Sequence, residues 1–196
     1  MENTMIGKSL FIGEAIELAE LDPERDAAAV ATWTRQPAFS RKLFRHPFKP
    51  LPITEVKKKL QEILKAADEN HQAIYFGIQK TGSPDLIGML WFPWVDAQHQ
   101  SSWMNLVFGS VEDIPSYGWE ALRMAVYYAF MEMSLHRIAV EICSDEPQML
   151  SLYEEFGFLR EVQRREAVFS QDRYYDEYVY GLLKSDWKQK QSEKTL

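Results

Sequence analysis

The stretch "VEDIPSYGWEALRMAVYYAF", residues 111–130, contains the strongest structural signal in this sequence. From residue 117 to 134 only three side chains are charged, Glu120, Arg123 and Glu132. This pattern predicts a helix that is apolar around most of its circumference and is therefore buried at the centre of the fold. The turn before it carries two acids, one proline and a single glycine. What such a turn can bind is the main question that the sequence raises.

Upstream of the central helix, the sequence predicts strands, two helices and one long connection. Alternating apolar residues predict strands at residues 14–21, 73–79, 86–95 and 102–108. Asp22 followed by Pro23 predicts the start of one helix, and Thr54 predicts the cap of another. The four prolines of residues 36–53, "QPAFSRKLFRHPFKPLPI", favour a long exposed connection rather than regular structure.

Downstream of the central helix, one more helix and three more strands are predicted. Residues 137–142, "RIAVEI", alternate as a strand does. Asp145 predicts the cap of the next helix, and Gly157 predicts its end, where a left-handed residue is favoured. Residues 159–169 and 173–183 flank a short turn and predict a hairpin. The order indicates a mixed fold of helices and antiparallel strands.

Composition and charge exclude several classes of protein. The net charge of −7 and the pI of about 5.2 argue against nucleic acid or an anionic membrane surface as partner. Charges at Glu2, Lys8 and Glu14 interrupt the N-terminal segment, so we expect neither a signal peptide nor a membrane span. The single cysteine, Cys143, allows no intramolecular disulfide. These observations predict a cytoplasmic protein.

Neither the histidines nor the cysteine predicts a reactive centre. Scattered positions without short ligand spacings argue against a metal site at the histidines, which are His46, His71, His99 and His136. Cys143 has no local signature of a nucleophile, so an inert buried thiol is the favoured interpretation.

Three motifs in the second half of the chain occur in the same order and at similar spacing in a known family. They are "GWEA" at residues 118–121, "LYEEFGF" at 152–158 and "YGLLKSDW" at 180–187. The chain therefore resembles the GNAT superfamily of acyl-CoA-dependent N-acetyltransferases, and within it the RimJ/RimL-like branch.

This resemblance implies one GNAT-like α/β (α+β) domain over residues 1–196, with flexible tails at residues 1–8 and 188–196. Its mixed, mostly antiparallel sheet would have six to seven strands and about four flanking helices. Acetyl-CoA would be the cosubstrate, wedged between two splayed strands at residues 102–108 and 137–142, and no metal would be needed. An amine acceptor would attack the thioester directly. Homodimers are common in the branch, so a homodimer is a further expectation.

The turn before the central helix departs from the family pattern. In the family, backbone N–H groups at this helix start hold the cofactor's pyrophosphate. The pattern is Arg or Gln, Gly, any, Gly, any, Gly or Ala, but residues 113–118 read "DIPSYG", and only Gly118 matches. Pro115 has no N–H, and Glu112 and Asp113 add negative charge. The implied cofactor-binding amides that remain are those of Ser116, Tyr117, Gly118 and Trp119. A plain helix start without a ligand is the alternative.

Acyl transfer needs a base for the amine, an acid for the leaving thiolate and a donor for the oxyanion. By resemblance, Tyr153 would be the acid and also contact the cofactor, Glu141 would be the base, and the amide of Val107 or Phe108 would be the donor. Tyr153 could instead be a core aromatic residue, and Glu141 a solvated surface carboxylate. Glu146 occupies a position where the family often has an asparagine that contacts the cofactor or the substrate, and by resemblance it is a candidate cofactor-binding residue.

The long connection adds basic and aromatic side chains to this picture. Its cations Arg41, Lys42 and Arg45 could approach the phosphates, as could Arg123 of the central helix. The segment could equally line the acceptor cleft.

Different classes of function remain open. The first is an N-acetyltransferase whose acceptor is a primary amine, such as a protein N-terminus, a polyamine, an amino sugar or a drug amine. The second is a GNAT-fold protein that has lost acetyl-CoA binding and serves as a binding or regulatory module. A third is an enzyme that uses a different acyl-CoA or binds it in a shifted pose.

Overall fold

The computed structural model describes residues 10–43, 49–71 and 73–193, apart from the side chain of Glu193. Its strands are β1 (Ile16–Ala19), β2 (Ile74–Lys80), β3 (Leu86–Phe92), β4 (Val95–Asp96), β5 (Ser101–Trp103), β6 (Asn105–Phe108), β7 (Arg137–Cys143), β8 (Leu159–Ser170) and β9 (Arg173–Leu183). Its α-helices are α1 (Pro23–Trp33), α2 (Pro37–Leu43), α3 (Ile53–Asn70), α4 (Asp113–Tyr127), α5 (Pro147–Phe156) and α6 (Lys184–Glu193). The predicted tail at residues 1–8, like the basic residue Arg45, lies outside the described residues.

The strands form two mostly antiparallel sheets. The first has the order β1-β2-β3-β6 and the second the order β4-β5-β7-β9-β8. Within the described ranges, the pairing of β5 with β7 is parallel and the pairings between the other neighbours are antiparallel. The predicted α+β class is confirmed, although the described chain divides nine strands between two sheets and carries six α-helices.

The two sheets separate in the middle of one extended segment. β5 pairs with β7, and after Met104 the same segment continues as β6, which pairs with β3. Met104 still donates its N–H to the carbonyl of Ala139 at 2.8 Å. Beyond this bond β6 and β7 belong to different sheets. The strands predicted at residues 102–108 and 137–142 are therefore splayed, as the resemblance implied.

Helices cover both faces of the first sheet, and β3 shows this most clearly. All seven of its residues are buried. Met89 and Trp91 pack in a cluster with residues of α1, α2 and α3, whereas Leu90 and Phe92 pack in a second cluster with residues of α4 and α5. A strand that is buried on both faces does not show the alternation of apolar and polar residues that a half-exposed strand shows.

Local signals position two helix ends as predicted. The side chain of Asp22 accepts a hydrogen bond from the N–H of Glu24 at 2.8 Å, and Pro23 occupies the first position of α1. Gly157 ends α5 with a φ of 117°. This left-handed conformation carries little steric penalty for glycine, which explains the residue at that position.

Other helix boundaries correct the sequence predictions. The predicted connection at residues 36–53 contains α2, whose Phe39 and Ser40 are buried. α3 begins at Ile53, so Thr54 lies inside its first turn and is not the cap. The residue before α5 is Glu146, not the predicted cap Asp145, and it makes no capping hydrogen bond through its side chain. α6 occupies most of the tail predicted from residue 188.

The central helix also differs from the prediction at both ends. α4 begins at Asp113, four residues before the expected start, and a π-helical turn, Tyr128–Glu132, continues it. Its buried residues include Ala121, Leu122 and Val126, which confirms a helix at the centre of the core. No helix in the described ranges is both long and apolar enough to span a membrane.

Candidate active site

The gap between β6 and β7 exposes backbone groups that the sheets do not use. The N–H of Gly109 donates to the carbonyl of Ile87 in β3 at 2.8 Å, whereas the N–H of Met104 donates towards β7. Because successive N–H groups of a strand point to opposite sides, the N–H of Val107 faces β3, and those of Leu106 and Phe108 face the gap.

This alternation separates the two predicted oxyanion donors. Phe108 has the orientation that the role requires, whereas the amide of Val107 is directed into the sheet. Leu106, which the sequence did not single out, presents a second N–H to the gap. Only the pairing register of β6 with β3 shows this difference.

A cavity of about 240 Å³ opens from this gap on the side of α4 and α5. Residues 106–108 of β6 form one wall, and residues 145–149 at the start of α5 form another. Val111 and Ile114 close it at the start of α4, and Phe39 closes it from α2. We call this space the arm cavity. Its mainly apolar lining and the two free N–H groups suit an elongated molecule that carries amides.

The start of α4, where the resemblance placed the pyrophosphate site, has no free donor among its first four positions. Glu112 donates its N–H to Oγ of Ser110 at 3.2 Å, and Asp113 donates to the carbonyl of the same serine at 3.2 Å. Ile114 donates to the carbonyl of Val111 at 3.3 Å, and Pro115 has no N–H. A helix ordinarily leaves these N–H groups unpaired. Here each is already used or absent.

The four amides predicted to bind pyrophosphate lie one turn further into the helix. Ser116, Tyr117, Gly118 and Trp119 belong to α4, where each N–H donates to the carbonyl four residues earlier. Gly118 has a packing role, because a Cβ there would lie 2.9 Å from Cδ2 of Leu152 in α5. The geometry therefore does not favour the predicted cofactor contacts of these four residues.

Acetyl-CoA, which the resemblance implies as cosubstrate, fits this site only in part. The arm cavity and the N–H groups of Leu106 and Phe108 match the pantetheine arm, which is elongated and contains two amides. The start of α4 does not match a pyrophosphate, because its donors are used and Glu112 and Asp113 bring negative charge. The residues present therefore fit the arm and not the diphosphate.

A second cavity, of about 660 Å³, opens on the opposite side of the gap. Its lining combines aromatic rings, three carboxylates and two cations, namely Tyr75, Trp91, Trp94 and Trp103, then Glu141, Glu146 and Glu177, then Arg41 and Lys42. Carboxylates and aromatic faces both attract cations. We call this space the acceptor cavity. Glu177 is a site residue that the sequence did not predict, because the sequence of the hairpin does not show which way its side chain points.

Glu141 lines the acceptor cavity, but it is not a free carboxylate. Arg164 donates from Nη1 to Oε1 of Glu141 and to Oε2 of Glu177, both at 2.8 Å. The side chain of Glu141 is 41 % exposed. It therefore combines the two interpretations left open by the sequence, because it faces the cleft and is also solvated.

Glu146 lies between the two cavities and lines both. Its carboxylate is 3.6 Å from Nη2 of Arg41 and 3.4 Å from Nζ of Lys42. Arg41 also donates to both oxygens of Asp145, at 2.7 and 3.0 Å. Oε1 of Glu146 and Nη1 of Arg41 are buried without a hydrogen-bond partner in the described chain. The basic residues of α2 thus contact the start of α5 between the cavities.

Tyr153 is enclosed in α5, with 1 % of its surface exposed. Its ring packs edge-on against Phe158, with 5.0 Å between centroids. Burial raises the pKa of its hydroxyl above the usual value, and the negative charge of Glu146 raises it further. A phenol in this environment keeps its proton firmly, so that donating it to a thiolate is less favourable than for an exposed tyrosine.

Cys143 lies at the edge of the acceptor cavity and is buried. Burial raises the pKa of its thiol to about 11, and a hydrogen bond to Asp145 contributes in the same direction. The thiol is therefore protonated at neutral pH, which agrees with the inert interpretation. In the described part of the chain, no three His, Cys, Asp or Glu side chains cluster as metal ligands do.

Glu120 of the "GWEA" motif has a structural role that the sequence did not reveal. Its two carboxylate oxygens accept hydrogen bonds from the N–H groups of Glu14 and Ala15, at 2.6 and 3.0 Å. These residues immediately precede β1. The motif glutamate therefore attaches the first strand to the central helix.

Comparison with known structures shows the same fold. The spermidine N-acetyltransferase of Vibrio cholerae, solved in complex with CoA and spermine, superimposes with a TM-score of 0.72 at 20 % identity. The match covers 88 % of this chain and 98 % of that one.

Curated relatives match over shorter stretches. Spermidine N(1)-acetyltransferase of Vibrio cholerae serotype O1 is 25 % identical over 103 residues, 53 % of this chain and 60 % of that protein. The putative ribosomal N-acetyltransferase YdaF of Bacillus subtilis is 31 % identical over 67 residues, 34 % of this chain and 37 % of that protein. The chain thus spans less than two thirds of the length of these relatives.

The match to a protein family is broader. Residues 16–159 match the acetyltransferase (GNAT) domain. This stretch includes the start of α4, both walls of the arm cavity and most of the acceptor cavity. Since the match covers well over half of the chain, the protein belongs to the GNAT acetyltransferase family.

Proposed function

We propose that this protein is an N-acetyltransferase that transfers an acetyl group from a pantetheine thioester, such as acetyl-CoA, to a cationic primary amine. The observation that carries the proposal is the gap between β6 and β7. It presents two N–H groups that neither sheet of the described residues pairs, and it has a cavity on each side, with Glu146 lining both. A thioester donor and an amine acceptor could therefore meet from opposite sides.

On the donor side, the free N–H groups of Leu106 and Phe108 support the binding of an amide-containing arm beside β6 and the stabilisation of a developing oxyanion. Transfer forms a bond between the amine nitrogen and the acetyl carbonyl carbon and breaks the carbon–sulfur bond. The acceptor ammonium loses two protons, one before it attacks and one from the tetrahedral intermediate, and the sulfur takes up one, so that one proton is released to solvent in each turnover. We assign the proton that reaches the sulfur to Tyr153, whose side chain is buried in α5 and lines neither cavity, and whose raised pKa limits this role.

On the acceptor side, the arrangement of charge favours a positively charged molecule. Glu141 and Glu177 converge on Arg164 at the wall of the acceptor cavity, and Trp91 and Trp103 add ring faces. Arg41 and Lys42 also line this cavity, but they contact Asp145 and Glu146, so the carboxylates of Glu141 and Glu177 share the single guanidinium of Arg164. We therefore place an ammonium group of the acceptor here, with Glu141 as the base that removes its proton. The relatives named for spermidine acetylation make a polyamine the first acceptor to test.

A second candidate function follows from the start of α4. Because the N–H groups there are used or absent, this GNAT-fold protein could have lost acetyl-CoA binding and serve as a binding or regulatory module. The arm cavity argues for the enzyme, since a module without a donor would not need unused N–H groups beside it.

Membership of the RimJ/RimL-like branch, a single domain, a homodimeric state and a cytoplasmic location remain part of the proposal. The motifs at residues 118–121 and 152–158 support the branch, and the single cysteine supports a reducing compartment. Size-exclusion chromatography with light scattering tests the homodimer.

The deciding experiment is a transfer assay with radiolabelled acetyl-CoA and a panel of amines that includes spermidine, an N-terminal peptide and an amino sugar. We expect acetylation of a cationic amine, and a kcat lower by about a hundredfold or more in Tyr153→Phe. Binding of the amine without any transfer would favour the module. An unchanged kcat in Tyr153→Phe would remove this residue from the mechanism.

A further inference from the structure

We propose that this protein recognises its acyl donor through the pantetheine arm and not through the nucleotide diphosphate. Acetyl thioesters of pantetheine itself should then serve as donors nearly as well as acetyl-CoA. This inference rests on the proposed function and names the part of the donor that the site selects.

The first argument is that helix has replaced the loop in which a diphosphate would bind. α4 starts at Asp113, so residues 113–116 form a helical turn where the family pattern has glycines. The N–H groups of Glu112, Asp113 and Ile114 already donate to Ser110 or Val111. Binding a diphosphate would require this turn to unwind, which costs several backbone hydrogen bonds.

The second argument is electrostatic. A diphosphate at this helix start would face the carboxylates of Glu112 and Asp113, and like charges in proximity repel. Two nearby cations already contact side chains of α4. Nζ of Lys80 lies 5.5 Å from the ring centroid of Tyr117, and Nη2 of Arg123 is 3.5 Å from the carboxylate of Glu120. Arg123 is thus balanced by Glu120, and Lys80, which keeps its charge, is one cation against two acids.

The third argument is that the groups which would bind the pantetheine arm are present. The N–H groups of Leu106 and Phe108 face the gap, and the arm cavity of about 240 Å³ lies beside them. The protein thus keeps the groups that would bind the arm, whereas the first turn of α4 occupies the place of the diphosphate. The donor would therefore be selected through the arm alone.

Calorimetry with the full chain tests the inference through binding rather than through turnover. The probes are acetyl-CoA, acetylpantetheine and adenosine 3′-phosphate 5′-diphosphate, which is the nucleotide part of CoA with its diphosphate. We expect dissociation constants within about threefold for the two thioesters, little salt dependence between 50 and 300 mM, and no competition by the nucleotide. Acetyl-CoA that binds more than about thirtyfold more tightly than acetylpantetheine would overturn the inference, as would competition by the nucleotide.

A pair of charge-removing variants gives a second test. Lys80→Met and Arg123→Met remove the two cations near the first turns of α4, and Lys58→Met removes a matched exposed cation from α3. All three should bind both thioesters as the unaltered protein does. A loss of tenfold or more that affects acetyl-CoA but not acetylpantetheine, in either of the first two variants alone, would show that these cations hold phosphate and would overturn the inference.

The outcomes separate this inference from the proposed function. Equal binding of both thioesters without transfer to any amine supports recognition of the arm and contradicts the enzyme. Efficient transfer that depends on the nucleotide supports the enzyme and overturns recognition through the arm alone. Failure of both thioesters to bind overturns both.

Discussion

Replacing Gly109 with alanine should destabilise the protein, because this residue lies against an indole ring at the turn between β6 and α4. A Cβ on Gly109 would lie 2.1 Å from both Cε2 and Nε1 of Trp33. Carbon atoms in contact are normally about 3.5–4.0 Å apart. The ring or the turn would therefore have to move by about 1.5 Å.

Neither partner can move freely. Trp33 is 7 % exposed and packs edge-on against Phe39, which is 2 % exposed. The turn is held by a hydrogen bond of 2.5 Å from Nε2 of Gln36 to the carbonyl of Gly109. Overpacking of this kind costs about 1–3 kcal/mol, and the lower backbone entropy of alanine in the unfolded chain returns less than about 1 kcal/mol. We expect a net loss of about 2 kcal/mol.

Thermal unfolding measures this loss as a fall in Tm of about 4–8 °C for a chain of this length. A double-mutant cycle with Trp33→Leu isolates the contact, because leucine removes the ring that the new methyl group meets. In that background Gly109→Ala should cost less than about 0.5 kcal/mol. A Tm within 1 °C of the unaltered protein, or an equal cost in both backgrounds, would refute the reasoning.

Three further predictions concern charged groups. Arg41→Ala should lower the free energy of unfolding by about 1–3 kcal/mol, because it leaves Asp145 and Glu146 partly buried without their main cation, whereas Lys58→Ala at an exposed pair should change it by less than about 0.5 kcal/mol. Equal effects in chemical denaturation would contradict this. The hydrogen bond from Arg137 lowers the pKa of Glu161 below its ordinary value of 4.5, so this pair stabilises the fold above pH 4.5 and loses its contribution as the pH falls through the lowered pKa. The stability difference between the unaltered protein and Glu161→Gln should therefore be present at pH 7 and shrink below pH 4.5, and a difference independent of pH would count against the pair. Glu141→Gln should lower kcat by about a hundredfold or more, because it removes the proposed base, and raise the KM for the amine without changing acetylpantetheine affinity, whereas Glu62→Gln on α3 should leave all three unchanged. An unaffected kcat and KM would remove Glu141 from the acceptor site.

Helix ends with strong local chemistry could be predicted from the sequence. Asp22 caps α1 through its own side chain, and Gly157 adopts a conformation that few other residues tolerate. Both effects depend on residues adjacent in the chain. These two helix ends can therefore be predicted without knowledge of tertiary contacts.

Two helical segments could not be predicted in this way. α2 has only seven residues, too few to show a helical period, and prolines surround it in the sequence. At the start of α4, Pro115 suggested an irregular turn. Proline is tolerated in the first turn of a helix, where its missing N–H has no intrahelical partner to lose. α4 therefore begins at Asp113, and its first helical turn occupies the predicted anion site.

The candidate site depends on relations between distant segments. Whether the N–H of Leu106 or of Val107 faces the gap is decided by the register of β6 with β3. Glu177 reaches the acceptor cavity from β9, and Arg164 links it to Glu141 of β7. The three motifs identified the family, but they contain none of these spatial relations.

The C-terminal helix also sets a limit on how far the chain can be shortened. Nζ of Lys190 in α6 donates to the carbonyl of Glu155 at 2.7 Å, at the last turn of the helix that carries Tyr153. A polypeptide that stops at Trp187 would lose this bond and leave the carbonyl of Glu155 to solvent, although the backbone N–H groups of Gly157 and Phe158 would still donate to the end of α5. Affinity tags and fusion partners joined downstream of α6 leave this contact in place.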